Sequence, residues 1–190
     1  MDVSDRLDRI LSLCRREVPS LRLVHKQEVW WMRVAGLLLR PFVPDFMTSY
    51  TVAFCRTVYL PRPPGEMVRD ELASILAHEL VHLIDQERCG IGFYVSYAFV
   101  LPFFRTWRAV WERRAYAVDL LLARERGGER EVERVAARLV PVFGGPNYLW
   151  MWAPTASARR FLRPTVDAVC RGDLDDTEPY KSVLEAWRSV

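Results

Sequence analysis

Histidine is scarce in this chain of 190 residues: only His25, His78 and His82 occur. Any function built on imidazole must therefore draw on those three. Lysine is scarcer still. Only Lys26 and Lys181 stand among 27 basic residues, a bias we read as codon usage. The net charge is only +3, too small for the basic footprint of a nucleic-acid binder. The four cysteines, Cys14, Cys55, Cys89 and Cys170, form no C-x-x-C pair. That argues against a cysteine-only zinc site and fits reduced thiols in a cytoplasm. The opening Met1-Asp2-Val3-Ser4-Asp5 is acidic and polar, unlike a secretory leader. Repeats and low-complexity segments are also lacking.

What is present describes a globular chain. Hydrophobic residues make up 51% of it, enough for a core without disulfide staples. The length suits one domain, residues 1–190. Leu7, Ile10, Leu11 and Cys14 recur at helical spacing before Pro19. Residues 21–25 alternate like a strand, and 28–40 form a short helix bounded by Pro41. Residues 49–60 are rich in β-branched and aromatic side chains, with a break at Arg56. Helical patterns then span 67–88, 105–126, 130–142, 157–170 and 177–187. The class is α+β and mostly helical.

One helix carries a constellation. His78-Glu79-Leu80-Val81-His82 is an H-E-x-x-H arrangement. Positions i and i+4 share a helix face, so both imidazoles can reach one metal ion. Glu79 stands beside them as a general base for a water molecule. The flanking Ile75, Leu76, Leu80, Val81, Leu83 and Ile84 are apolar, as an enclosed ligand helix requires. A catalytic zinc has three protein ligands and an open position. Asp85 lies on the same helix, where it cannot readily close a tetrahedral site, and suits a cap or a supporting group. His25 reads as a surface residue. Glu112 is the better third ligand. Glu112, Ala115 and Asp119 share one face of the 105–126 helix. Asp119 can orient a ligating imidazole from behind.

The motif followed by a helical glutamate resembles the gluzincin class of zinc metallopeptidases, and more loosely small bacterial or phage zincin-like proteins. The resemblance covers about residues 49–124. It implies Zn2+ held by His78, His82 and Glu112, with Glu79 as catalytic base. It also implies a strand before the motif helix that pairs with an extended substrate, for which 51–60 is the candidate. In many members an aspartate follows the ligand glutamate by four residues. Here that position is Tyr116, and Asp119 comes one turn later. The resulting expectation is a zincin-like domain with a small mixed β-sheet packed on the active-site helix, acting on peptide or protein substrates.

An oxyanion donor can come from His25, Tyr94, Tyr97, Tyr116 or Tyr148. Tyr148 is favoured because it follows the Gly144-Gly145-Pro146 loop. Residues 91–104 carry no charge and are too short to span a bilayer, which takes about 20 apolar residues. They read as an apolar insert buried between the two metal-binding helices, with a substrate wall or a membrane contact as the other readings. Two rival functions share the motif: a zinc hydrolase of a non-peptide amide, and an inactive zincin-like module docking a partner or membrane through 91–104.

Overall fold

The structure, a computed structural model, describes residues 3–98, 107–145 and 155–188. The described residues form seven helices and a three-stranded mixed sheet. The chain is therefore α+β and mostly helical, as its periodicity predicts. It groups into two compact units, 1–84 and 85–190, and the division falls within one helix. No helix among the described residues is long and apolar enough to cross a membrane.

The first unit opens with α1 (Val3–Glu17) and β1 (Arg22–His25). A single 3-10 turn leads into α2 (Trp30–Leu39). The predicted strand 49–60 is a hairpin of β2 (Val52–Phe54) and β3 (Thr57–Leu60). Its break falls where Cys55 and Arg56 both take positive φ, 47° and 59°. Two such residues in succession make the primed turn that suits strand twist. The strand order is β1-β3-β2, with β1 parallel and β2 antiparallel to β3. This changes one expectation. β3 is the central strand and has no free edge for a substrate backbone; β1 and β2 hold the edges. Val58 and Leu60 are fully buried, as are Ile10 and Cys14 of α1.

α3 (Arg69–Cys89) carries the motif. Asp70 and Glu71 occupy its first turn and Arg88 its last, each of the sign that the helix dipole favours there. Arg6 of α1 donates to the Asp70 carboxylate, and Cys14 Sγ lies 3.8 Å from the Leu76 carbonyl. Burial pushes the Cys14 thiol up to about 12, so it packs as an uncharged group.

In the second unit, Gly90 takes φ 53° and ends α3, where L side chains are strained. The next segment is not the wholly buried apolar insert expected there: residues 91–98 are a helix, α4 (Ile91–Ala98), with Phe93 buried but Ile91 and Val95 exposed. Pro102 and the rest of 99–106 lie outside the described residues. α5 (Trp107–Gly144) is interrupted where Gly127 and Gly128 leave helical geometry. Gly128, at φ 64° and ψ −161°, occupies a region essentially open only to glycine. The two predicted helices are thus the two arms of α5. α6 (Thr155–Arg171) and α7 (Tyr180–Arg188) complete the unit. Its core joins Val118, Leu120, Leu121, Leu122 and Phe143 of α5 to Val169 of α6 and Val183 of α7.

Candidate metal centre

α3 is buried along much of its middle. Leu76, Ala77, Leu80 and Val81 are almost wholly enclosed, so the ligand residues sit among apolar neighbours. His82 and Glu79 are buried and His78 is half-buried. The rings of His78 and His82 lie edge to face with centroids 5.3 Å apart, as the i, i+4 spacing dictates.

Glu112, near the start of α5, is also buried. His78, His82 and Glu112 each offer a ligand atom, and the three atoms lie within 4.8 Å of one another. Two imidazole nitrogens and one carboxylate oxygen are the donor set of a catalytic zinc site with a position left open. The residues present fit the ion that the motif implies.

Glu112 is oriented by α4, and this the sequence reading did not resolve. The Tyr97 hydroxyl donates to Glu112 Oε1. Tyr97 stacks on Phe93 with centroids 5.4 Å apart, and the Arg108 guanidinium lies 5.0 Å over its ring. Trp111 Nε1 donates to Ser96 Oγ at 3.0 Å, and the Tyr94 hydroxyl donates to Gln86 Oε1 at 3.0 Å. α4 is thus fastened to its neighbouring helices, with Tyr97 on the carboxylate that completes the donor set. Phe93 and Tyr97 are four apart, so a helical reading of 91–98 was the signal that would have found this pairing. We expect Tyr97→Phe to weaken zinc affinity by about 10- to 100-fold, the usual effect of losing a hydrogen bond that orients a ligand. Competition with a chromogenic chelator measures it; unchanged affinity means that Glu112 does not need Tyr97.

The other candidates are not among the three ligand residues. Asp85 is buried, and its two oxygens accept from Arg114 Nε and Nη2 at 3.0 Å each. The Tyr180 hydroxyl donates to the Arg114 carbonyl at 3.1 Å. Asp85 therefore ties α3, α5 and α7 together and is not in the ligand group. Asp119 is half-buried on α5 and lies outside the three-residue group. His25 ends β1, with Nδ1 4.0 Å from Glu28, and is likewise outside it. Tyr116 packs against Phe143. Tyr148 lies outside the described residues.

Lys26 is the residue that periodicity gave no reason to notice. It follows β1 directly and is fully buried. Its ammonium donates to the Phe46 carbonyl at 2.7 Å and lies 4.0 Å from the centre of the Phe46 ring. Burial pulls its pKa down to about 8, and the negative charge of Glu79 acts in the opposite direction. The buried cation is thus electrostatically coupled to Glu79 of the motif. The unfolded chain holds this proton up to the ordinary lysine range and the folded chain releases it earlier. The unfolded state therefore binds more protons between pH 8 and 10.5, and stability rises with pH across that window. For metal-free protein we expect wild type to gain roughly 3 kcal/mol relative to Lys26→Met from pH 8 to 10.5. Urea unfolding at several pH values gives the difference, and a flat one would contradict the lowered pKa of buried Lys26.

No protein-family model, no curated protein and no solved structure matches this chain.

Proposed function

We propose that this protein is a zinc-dependent metallopeptidase, with His78, His82 and Glu112 as the metal ligands and Glu79 as the general base. The observation that carries the reading is the convergence of those three ligand atoms within 4.8 Å, beside a buried glutamate one residue from the first histidine. A bound zinc ion supplies Lewis acidity, which lowers the pKa of water to about 7 and polarises a carbonyl. The chain's own groups do the rest. Glu79 takes a proton from the attacking water, and its conjugate acid returns that proton to the departing amine nitrogen. Lys26 adds a buried positive charge that interacts electrostatically with Glu79. Tyr97 donates to one oxygen of Glu112 and so helps to orient that carboxylate.

Peptides are favoured over other amides because the motif on this helix is the one that resembles peptidases. The test is digestion of a mixed peptide library by zinc-loaded protein, read by mass spectrometry. New termini that vanish with chelator and return with zinc support the proposal. A zinc-loaded protein that cleaves no peptide under broad conditions contradicts it.

A further inference from the structure

α2 carries an apolar stripe that the described chain does not cover. Trp30, Val34, Leu37 and Leu38 recur at i, i+4, i+7 and i+8, and Phe42 continues the stripe past the helix end. Their exposures are 69, 48, 69, 70 and 61%. The opposite face is already committed. Met32 is buried, and Gly36 faces Met47 so closely that a Cβ there would come within 2.6 Å of its Cγ. The open face is therefore a second surface and not a core face turned outward.

Charge identifies the partner. Between Val29 and Pro44 the only charged side chains are Arg33 and Arg40. Both are exposed, and neither guanidinium makes an ion pair among the described residues. At 100° per residue they fall together along one flank of the stripe. An isologous pairing of two copies through α2 sets these arginines against one another with no carboxylate on the stripe to relieve them. A bilayer rich in anionic headgroups does the reverse: acyl chains receive the aliphatic residues, phosphates meet the arginines, and tryptophan suits the boundary.

We propose that α2 is an interfacial helix which lays Trp30, Val34, Leu37, Leu38 and Phe42 into the surface of an anionic membrane, with Arg33 and Arg40 on the headgroup phosphates. The assignment is independent of the metal centre. Flotation of the full chain with vesicles tests it, using phosphatidylcholine alone and phosphatidylcholine mixed with phosphatidylglycerol. The expected result is binding to the mixed vesicles, about ten-fold or more weaker on phosphatidylcholine alone. Leu37→Gln with Leu38→Gln should lose binding by about ten-fold or more at unchanged circular dichroism and melting temperature, because both side chains are exposed. Arg33→Gln with Arg40→Gln should erase the preference for the anionic lipid. Failure to float with either vesicle overturns the proposal, as does binding that the leucine variant leaves intact. A dimer in sedimentation analysis that the leucine variant dissolves, without vesicle binding, assigns the face to a second copy and overturns it too.

Discussion

Glu79→Gln should cut peptide hydrolysis by orders of magnitude while leaving the metal in place. The substitution keeps the size of the side chain and removes its ability to accept a proton. General-base catalysis of this kind contributes about a hundred- to ten-thousand-fold, and kcat/KM should fall by that factor. Substrate binding makes no demand on the proton, so the loss should appear in kcat with KM little changed. Zinc content should remain one ion per chain, because the proposed ligand group is His78, His82 and Glu112 and does not include Glu79. The variant also removes the negative charge that raises the Lys26 pKa. Buried Lys26 should then release its proton at still lower pH in the metal-free protein. A variant that cleaves as fast as wild type would remove Glu79 from the mechanism.

Loss of Glu112 should act on the metal itself. Glu112→Ala takes away one of three donors in a buried setting, and zinc affinity should fall by more than the roughly 100-fold upper range seen for residues that merely orient a ligand. Glu112→Gln keeps a neutral oxygen, which can still accept from Tyr97 but binds zinc less strongly than a carboxylate. It should lie between wild type and alanine. Stability reports the same loss. A ligand at about 100 times its dissociation constant adds about 2.7 kcal/mol to folding, and at equal zinc the alanine variant should forfeit most of that gain. Isothermal titration and melting with and without zinc measure both. Affinity unchanged in Glu112→Ala removes this residue from the ligand set, whatever the fate of the histidines.

The two histidines and their glutamate were legible because one helix holds them: i and i+4 spacing is a property of local geometry, needing no tertiary information. Glu112 was legible for a weaker reason. It is an acid set between apolar residues on a helical face, and only the fold brings its carboxylate to the imidazoles. The break at Arg56 was visible in the residue pattern, but its pairing was not. That β3 becomes the central strand depends on β1 pairing in parallel from a segment more than thirty residues earlier. Residues 91–98 misled because uniform apolarity hides the helical period, and so concealed the hydrogen bond of Tyr97 to Glu112. Lys26 and Asp85 show a further limit. Each is a charged residue that sequence patterns place at the surface or a cap, yet each is buried against a specific partner supplied by tertiary contact. The open stripe of α2 was equally hidden, since its periodicity is that of any helix with a buried face.

Zinc-edge X-ray absorption on the loaded protein tests the central claim most directly. One zinc per chain should be surrounded by nitrogen and oxygen at about 2.0–2.1 Å, with the outer-shell scattering of two imidazoles and no sulfur. Sulfur at about 2.3 Å, a single imidazole, or failure to load zinc at all would contradict a His78–His82–Glu112 centre.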